Sequence, residues 1–259
     1  VFSQIAPSQQ DALRRWGWQR ETRLMETYEK KTCLRFDHVV FVTDEDRNAL
    51  VAKEADNGRF TTIPICVDLT DRPLLDVDPN ARTITHLGTM FWPPNVEGVI
   101  WFAREVFPRV LAERPDAQFV IIGKNPPKEI DQLLEEVPNI QVTGYMPNPQ
   151  PYLTKTAGFI VPLHAGAGMR VKILDAWAWG LPVITTTVGR EGIDVNAGDT
   201  ALVADDPDTF AQHIVDLLNN ADLRARLRSN GRAWVDEKYS WQRIYTRWDN
   251  VYEKLLAKT

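Results

Sequence analysis

A glycine-rich segment in the second half of the chain carries two basic residues at a spacing suited to an anion. Gly166 and Gly168 let the backbone approach a ligand closely, and a helix is predicted to begin at Met169. The N–H groups and positive dipole end of that helix would attract an anion. Arg170 and Lys172 fall in its first turn, where two cations are unfavourable unless a group such as a diphosphate neutralises them. The alternative is that both side chains are solvated at little cost, and these residues alone leave both interpretations open.

A carboxylate follows on the same predicted helix. Asp175 lies three residues after Lys172, on a neighbouring face and deeper along the axis. It could accept hydrogen bonds from both hydroxyls of a ribose. It could equally form a local ion pair with Lys172, and the spacing does not decide between the two.

The segments around this one alternate between predicted strands and predicted helices. Strands are predicted over residues 83–87, 118–122, 140–143, 158–163, 182–186 and 201–204, and helices over 95–113, 128–137, 169–179 and 208–219. This alternation predicts right-handed crossovers and a doubly wound parallel α/β sheet of the Rossmann-like type. Ligands bind such a sheet beyond the carboxyl ends of its strands, where loops lead into helix N-termini. The glycine-rich segment is predicted to lie at that edge.

Flanking helices are predicted at both ends of the chain. The first covers about residues 11–35 and is mildly basic, which suits either a solvated face or contact with anionic lipid. A strand over 38–43, a helix ending near residue 55 and a strand over 60–65 follow it. The last helix opens at Ser240, and its apolar face comprises Trp241, Ile244, Trp248, Val251, Tyr252 and Leu255. Because no strand is predicted after it, this helix is expected to pack on elements already formed.

Composition and charge argue against several classes of protein. Of the 259 residues, 44% are apolar and 25% are charged, as in an ordinary globular protein. The net charge of −5 argues against a nucleic-acid-binding surface. The apolar runs are far shorter than the roughly 20 residues that span a bilayer, and the cysteines and histidines show no metal-ligand spacing. Cytoplasmic localisation and no metal site are therefore expected.

Four motifs, in order along the chain, resemble those of the group 1, or family four, retaining glycosyltransferases of the GT-B fold. The donor-site motif is Gly166-x-Gly168-Met-Arg-x-Lys172-x-Leu-Asp175, continuing to Gly180-x-Pro-Val. The others are Phe36-Asp37-x-Val-Val-x-Val-Thr43-x-x-Asp46, His86-Leu-Gly88-Thr-Met-x-Trp92-x-Pro-Asn95 and Val142-Thr-Gly144-Tyr-Met146. The resemblance covers the chain from about Phe36 to its end.

This resemblance implies a nucleotide-sugar donor, such as a UDP- or GDP-sugar, at the carboxyl edge of the sheet. The diphosphate would contact Gly166, Ala167, Gly168, Met169, Arg170 and Lys172, and Asp175 would hold the ribose. The base would lie against Gly123, Lys124, Gly144, Tyr145 and Met146, and the sugar and phosphate side against Gly88 and Thr89. Arg170 and Lys172 would stabilise the leaving diphosphate, with no metal required.

Two positions depart from the family pattern. Members of the family usually have Glu where this chain has Asp175, so the carboxylate reaches one methylene less far. Many members also carry basic residues shortly after the glycine at Gly88, whereas Met90, Phe91, Trp92 and Pro93 stand there in this chain. More of the charge stabilisation would therefore fall on Arg170 and Lys172.

The resemblance also implies an activity and a domain organisation. The activity is transfer of a sugar, with retention of configuration, to a hydroxyl of a glycan, lipid or other acceptor. Residues 1–64 are expected to be a remnant of the acceptor-side N-terminal domain, residues 65–239 the donor-binding domain, and residues 240–259 a crossover helix packed back on the remnant. The alternatives are a noncatalytic nucleotide-sugar-binding module and a sugar-nucleotide epimerase of the same fold.

The start of the chain bears on these expectations. Because it begins at Val1 rather than Met, it is expected to be a fragment, or to be completed by another chain or segment. Fewer than 70 residues precede the donor domain, too few for an acceptor-binding domain, so the chain alone is expected to bind the donor without transferring the sugar. The acceptor would be a glycan or a lipid-linked molecule. Any peripheral contact with the inner face of a membrane would be made by the N-terminal domain.

Overall fold

A computed structural model describes residues 12–51 and 58–257. In this part of the chain a six-stranded parallel sheet forms, with strand order β5-β4-β3-β6-β7-β8. Its strands are β3 (Thr83–Leu87), β4 (Gln118–Ile122), β5 (Ile140–Gly144), β6 (Thr156–Val161), β7 (Val183–Thr185) and β8 (Leu202–Val203). The parallel, doubly wound α/β sheet predicted from the sequence is confirmed.

Helices connect the strands and cover both faces of the sheet. They are α3 (Pro93–Trp101), α4 (Phe107–Glu113), α5 (Lys128–Glu136), α6 (Gln150–Leu153), α7 (Val171–Ala178), α8 (Pro207–Asn219) and α9 (Ala221–Tyr239). Along β4, Phe119 and Ile121 belong to one apolar core, whereas Val120 and Ile122 belong to the other. Because successive side chains of a strand point to opposite faces, a strand buried on both sides reads as the continuous apolar run seen here.

The helix predicted over residues 95–113 contains a π-helical turn. Phe102–Val106 forms this turn between α3 and α4, and the Phe107 N–H bonds to the Phe102 carbonyl five residues back. Pro108 has no N–H to donate and cannot continue the α-helical pattern at this point. The wider turn accommodates the proline while Phe102 and Phe107 remain buried.

Two predicted boundaries near the glycine-rich segment were wrong by two residues. The strand predicted over 158–163 is β6, Thr156–Val161. The helix predicted from Met169 begins at Val171, with Arg170 as its N-cap at φ −87° and ψ 73°. The ψ of Arg170 lies outside the helical region, so the chain enters α7 only at Val171, although Gly168, with a positive φ of 81°, was correctly left outside the predicted helix. Arg170 therefore precedes the helix, and Lys172 is its second residue.

The N-terminal elements form a small separate layer. Helix α1 covers Ala12–Cys33, and β1 (Val39–Phe41) pairs in parallel with β2 (Phe60–Thr62). Helix α2 (Asp44–Leu50) is capped by the Thr43 hydroxyl, which accepts the Asp46 N–H. It ends earlier than the predicted residue 55 because Val51 is extended, and residues 52–57 lie outside the described residues.

The last helix joins this layer to the end of the chain. Helix α10 covers Trp241–Leu256 and begins where Val67 hydrogen-bonds both Tyr239 and Trp241 through the backbone. It packs its apolar face against the β1–β2 pair. The shared cluster contains Val40, Ile63, Cys66, Ile244, Trp248, Val251 and Leu255. Among residues 12–51 and 58–257, no helix has both the length and the apolar content needed to cross a membrane.

Candidate donor-binding site

Backbone hydrogen bonds join the loops that follow β3, β4 and β5 at the carboxyl edge of the sheet. The Gly88 N–H donates to the Ile122 carbonyl at 2.9 Å, and the Gly123 N–H donates to the Gly144 carbonyl at 3.1 Å. A Cβ placed on Gly123 would lie 2.0 Å from the Gly88 carbonyl oxygen. Only glycine allows the two loops to approach this closely.

The loop after β5 forms an open rim beside these glycines. Gly144 has a φ of 71°, and a Cβ added there would meet no atom of the described residues within 4 Å. The Tyr145 side chain is 68% exposed, whereas Met146 is half-buried against the core. Lys124 is also exposed, and its carbonyl accepts the Met90 N–H at 3.0 Å. The rim therefore offers an exposed ring and an accessible backbone.

The glycine-rich loop wraps around the Arg170 guanidinium. Arg170 Nη1 donates to the Ala167 carbonyl at 2.6 Å and to the Gly168 carbonyl at 2.7 Å. A Cβ placed on Gly166, whose φ is 135°, would lie 2.7 Å from Arg170 Nη2. These hydrogen bonds fix the conformation of the loop. The Arg170 side chain is only 9% exposed, because the loop covers it.

Glu191 supplies the nearest opposite charge to Arg170. Its Oε2 lies 3.6 Å from Arg170 Nη2, which is an ion pair but too long for a hydrogen bond. Within the described residues, Arg170 Nε and Nη2 and Glu191 Oε2 are buried and have no hydrogen-bond partner. Burial lowers the pKa of Arg170, and Glu191 and Asp46 partly offset that effect. Two guanidinium nitrogens, Nε and Nη2, are therefore still available to donate hydrogen bonds at this loop.

Lys172 points its ammonium toward the end of β3. Its Nζ donates to Asn95 Oδ1 at 2.9 Å, and Asn95 Nδ2 donates to the Thr89 carbonyl at 2.9 Å. Burial, and secondarily the charge of Arg170, lowers the pKa of Lys172 to about 7. The amine is thus near the midpoint of its titration at neutral pH, and a nearby anion would favour its charged form.

His86 adds a neutral acceptor to the same place. Its Nδ1 lies 3.1 Å from the Ile160 carbonyl, which can only accept, so Nδ1 carries the proton and Nε2 carries a lone pair. Nε2 is buried and has no hydrogen-bond partner in the described part of the chain. Burial and the Lys172 charge hold the pKa of His86 well below its usual value.

These polar atoms meet around Gly88. A Cβ placed on Gly88 would lie 2.7 Å from Lys172 Nζ, 3.0 Å from Asn95 Nδ2 and 3.1 Å from His86 Nε2. We call Gly88, His86, Asn95 and Lys172 the Gly88 cluster. The cluster lies at the carboxyl edge of the sheet. Its Lys172 ammonium and its His86 Nε2 atom can both form further hydrogen bonds.

Comparison with known proteins identifies the family to which this chain belongs. Residues 81–220, more than half of the chain, match the family model described as "Glycosyl transferases group 1". The chain belongs to the group 1 glycosyltransferases. The resemblance found from the sequence motifs is thereby confirmed, and the sheet is the Rossmann-like half of a GT-B fold.

Individual relatives agree with this family. A capsular polysaccharide biosynthesis glycosyltransferase, CapM of Staphylococcus aureus, is 28% identical over 160 residues, which are 59% of this chain and 42% of that protein. A GDP-mannose-dependent phosphatidylinositol monomannoside mannosyltransferase of Corynebacterium glutamicum is 30% identical over 161 residues, covering 58% of this chain and 42% of its own length. The chain thus spans less than half the length of these relatives.

A solved structure shows the same fold. A mutant of S. aureus TarM, in complex with fondaparinux, α-GlcNAc-glycerol and UDP, superposes with a TM-score of 0.73 at 20% identity. The superposition covers 88% of this chain and 46% of TarM. At this identity the likeness establishes the shared fold alone.

Asp175 of this glycosyltransferase does not pair with Lys172, so that alternative was wrong. Its Oδ1 accepts a hydrogen bond from Arg72 Nε at 3.1 Å, and the Arg72 guanidinium lies 5.5 Å from the centre of the Trp179 ring. Lys172 turns instead toward Asn95. Burial raises the pKa of Asp175, and Arg72 partly offsets this effect. Nothing in the sequence around Arg72 predicts a site, so its contact with Asp175 was not expected.

His86 and Asn95 are two further residues of the site that were not predicted from the sequence. Both belong to one of the family motifs, but a buried histidine in a strand is usually a packed core residue. In the sequence, these two polar residues lie on either side of Gly88, where a buried strand ends. That position was the signal that could have identified them. Only the tertiary structure shows that both point toward Lys172.

A cavity of about 1020 Å³ adjoins the glycine-rich loop. It lies between the β1–β2 pair and the loop over 187–195, and its lining includes Thr43, Glu45, Arg190, Glu191, Gly192 and Arg247. Gly192 separates it from the loop, since a Cβ there would lie 3.0 Å from the Met169 Cα. The Gly88 cluster lies outside this lining. Within residues 12–51 and 58–257, no group of three His, Cys, Asp or Glu residues could hold a metal ion.

Proposed function

We propose that this chain binds a nucleoside diphosphate sugar at the carboxyl edge of the sheet and supplies the donor site of a retaining glycosyltransferase. The observation that carries the proposal is the buried Lys172 ammonium beneath Gly88, which has one hydrogen bond to Asn95 and whose pKa is about 7. Burying a charge is costly unless it is paired. A diphosphate bound over Gly88 would supply the missing negative charge.

The glycine-rich loop supplies the second part of the diphosphate site in this proposal. Gly166 and Gly168 adopt positive φ angles, and the backbone of 166–169 leads into the N-terminus of α7. Amide groups at such a terminus bind phosphate oxygens. Arg170 lies beneath this loop and fixes its conformation through hydrogen bonds to the Ala167 and Gly168 carbonyls. Its remaining N–H groups are proposed to donate to the ligand.

The nucleoside would occupy the rim on the β4 and β5 side. Gly123, Lys124 and the turn from Gly144 to Met146 are proposed to contact the base, with the exposed Tyr145 ring available for stacking. Asp175 is proposed to accept hydrogen bonds from the ribose hydroxyls. The Arg72 contact keeps this carboxylate charged and oriented while leaving room for a second partner.

The two cations would act on the reaction through the leaving group. Breaking the bond between the sugar and the diphosphate places negative charge on the departing oxygen. Lys172 and Arg170 are proposed to stabilise that charge without a required metal, as preorganised donors in a site shielded from water. Retention would then follow from attack on the same face of the sugar that the diphosphate leaves.

The relatives suggest the class of product. CapM is named for capsular polysaccharide biosynthesis, and the C. glutamicum protein is named for a lipid-linked mannosyl acceptor. We therefore propose a growing glycan or a lipid-linked sugar as the acceptor. Because the chain spans less than half of these proteins, transfer is expected to require residues beyond the donor site.

Calorimetric titration with UDP, GDP and ADP, and with the matching nucleosides, tests the proposal. Tight binding of at least one diphosphate is expected, with the nucleoside bound much more weakly. A chain that binds none of them contradicts the proposed donor site. Transfer from the matching sugar nucleotide, followed by NMR of the product anomer, separates a retaining transferase from a noncatalytic binding module.

A further inference from the structure

The Gly88 cluster contains an acceptor that the proposed function does not yet use. His86 is fully buried, its Nδ1 proton is bonded to the Ile160 carbonyl, and its Nε2 lone pair has no hydrogen-bond partner among the described residues. A buried acceptor left unpaired destabilises the folded chain, because it has lost its hydrogen bonds to water. A group with N–H or O–H to donate is therefore expected beside His86 Nε2 when the site is occupied.

Lys172 carries N–H groups close to this acceptor. A lysine ammonium has three N–H groups, and one of them bonds Asn95 Oδ1 at 2.9 Å. Lys172 Nζ and His86 Nε2 both lie near the position that a Gly88 Cβ would occupy, at 2.7 and 3.1 Å from it. A side chain at residue 88 would collide with both atoms, so the glycine keeps this space open.

We propose that Asn95 and His86 are positioning residues for Lys172. Asn95 Oδ1 accepts one ammonium hydrogen bond, His86 Nε2 accepts a second when a nucleoside diphosphate is bound, and the third N–H points to the phosphate. The inference rests on the proposed donor site and goes further by naming the residues that aim its cation.

The charges around Lys172 support this arrangement. Arg170 repels the ammonium, and His86 is neutral. Asn95 is neutral as well, and its own amide is held by the Thr89 carbonyl at 2.9 Å. Two neutral acceptors orient an ammonium without cancelling its charge. A carboxylate at either position would compete with the phosphate for the same cation.

Paired substitutions at His86 separate positioning from packing. His86→Asn keeps a donor near Nδ1 for the Ile160 carbonyl and removes the acceptor at Nε2. His86→Gln places an amide oxygen within reach of the Nε2 position. We expect His86→Asn to weaken UDP or GDP binding about 10-fold, the loss typical of a hydrogen bond to a charged group, and His86→Gln to retain most of the affinity. A role in packing alone predicts the reverse order, because Asn preserves the Ile160 contact.

A second pair addresses Asn95. Asn95→Ala removes the acceptor, and we expect a loss of UDP or GDP affinity of about 10-fold with little change for uridine or guanosine. Asn95→Asp keeps the acceptor and adds a charge that favours protonated Lys172. With Asn95→Asp, the pH at which diphosphate binding weakens should move upward. Equal behaviour of the two variants in pH profile and affinity overturns the role of Asn95.

A measurement on the wild-type chain does not depend on the variants folding. The ¹⁵N resonance of His86 Nε2 should lie in the range of an unprotonated imidazole nitrogen and should move toward the hydrogen-bonded range on addition of UDP or GDP. These ligands lack the sugar that a donor would transfer, so the shift cannot arise from a hydroxyl of that sugar. An unchanged Nε2 resonance at saturating ligand overturns the positioning role of His86.

The outcomes also distinguish this inference from the proposed donor site. If the wild-type chain binds neither UDP, GDP nor ADP, both fail together. If the wild-type chain binds a diphosphate, and His86→Asn and Asn95→Ala bind it with unchanged affinity and unfold at the wild-type temperature, the donor site stands and the inference alone is overturned.

Discussion

At the scale of single residues, Lys172 and Arg170 play different parts despite their proximity. Lys172 is buried at the Gly88 cluster and has a pKa of about 7, whereas Arg170 is enclosed by its own loop and faces Glu191. Lysine changes its protonation readily when buried, but arginine stays charged and bonds several acceptors in a plane. Lys172 is therefore expected to change its protonation when the ligand binds, whereas Arg170 fixes the conformation of the loop that binds it.

The pH dependence of diphosphate binding follows from Lys172. In the unliganded chain burial lowers the pKa of Lys172 to about 7, and a bound diphosphate raises it. Affinity for UDP or GDP is therefore expected to be greatest below pH 7 and to fall as the pH rises through and above 7, with uptake of a proton on binding. Calorimetry in buffers of different ionisation enthalpy measures that proton. Lys172→Met is the matched control, and it should lose both the affinity and the pH dependence near 7.

Arg170 is expected to tolerate no conservative replacement. Arg170→Lys keeps a charge but cannot bond the Ala167 and Gly168 carbonyls and face Glu191 at once. Diphosphate affinity should fall roughly 10- to 150-fold, corresponding to about 1.5–3 kcal/mol for a charged hydrogen bond, while nucleoside affinity changes little. Equal losses for uridine and UDP would show that Arg170 acts only in packing.

Asp175 offers a test of the ribose contact. Asp175→Asn should weaken UDP binding more than 2′-deoxy-UDP binding, because the carboxylate loses its charge-assisted hydrogen bond to the 2′-hydroxyl. Arg72→Ala is the control, since it removes the 3.1 Å partner of Asp175 without touching the carboxylate. If Asp175→Asn affects both ligands equally and matches Arg72→Ala, the residue has a structural role only.

At the scale of elements, glycines determine how closely the loops after the strands approach one another. Gly123 sits against the Gly88 carbonyl, and Gly98 of α3 sits against Pro162, where an added Cβ would lie 2.3 Å from the carbonyl oxygen. These contacts hold the start of α3, and with it Asn95, beside the glycine-rich loop. The site therefore depends on backbone packing as much as on its charged side chains.

Gly123→Ala and Gly144→Ala form a matched pair for this point. The Gly123 Cβ would meet the Gly88 carbonyl oxygen at 2.0 Å, so we expect a loss of unfolding free energy at or above about 3 kcal/mol. Gly144→Ala meets no atom of the described residues within 4 Å and should cost about 1–2 kcal/mol, from its positive φ alone. Urea unfolding followed by circular dichroism measures both. A smaller loss for Gly123→Ala would mean that the two loops can separate at little cost.

At the scale of the whole molecule, the last helix packs against the β1–β2 pair from the first quarter of the chain. Helix α10 covers the β1–β2 pair, and the backbone bonds of Val67 with Tyr239 and Trp241 join this layer to the sheet domain. Ile244 and Ile63 are 1% and 3% exposed, so this small cluster is a true core. The cavity beside the glycine-rich loop lies between this layer and the sheet.

Truncation of Ile244 tests whether α10 holds the N-terminal layer in place. Ile244→Ala should lower the unfolding free energy by about 2–5 kcal/mol, as for other buried isoleucines. The neighbouring Tyr245 is 55% exposed, so Tyr245→Ala should change it by no more than about 0.5 kcal/mol. If Ile244→Ala also leaves the unfolding free energy unchanged, the packing of α10 contributes little to stability.

The parallel sheet and the family could both be predicted from the sequence alone. The alternation of strand and helix patterns made this possible: the predicted bounds of β3 and of β4, a short apolar run, match the structure. The start of α7 was predicted less accurately, because the side-chain pattern includes Met169 and Arg170, whereas the non-helical ψ of Arg170 delays the helix to Val171. The roles assigned to the donor-site residues remain predictions.

The tertiary structure alone decided which side chains meet. Lys172 is three residues from Asp175 yet pairs with Asn95, 77 positions away, and Asp175 pairs with Arg72, 103 positions away. Local spacing shows which residues share a helix face, but it does not show what another element places against that face. Burial belongs to the folded chain as well, and it is burial that lowers the pKa of Lys172 to about 7 and leaves His86 Nε2, among the described residues, without a hydrogen-bond partner. Both effects arise because the loops after β3 and β6 pack together and exclude water. These loops are far apart in the sequence, so their packing cannot be read from residue spacing.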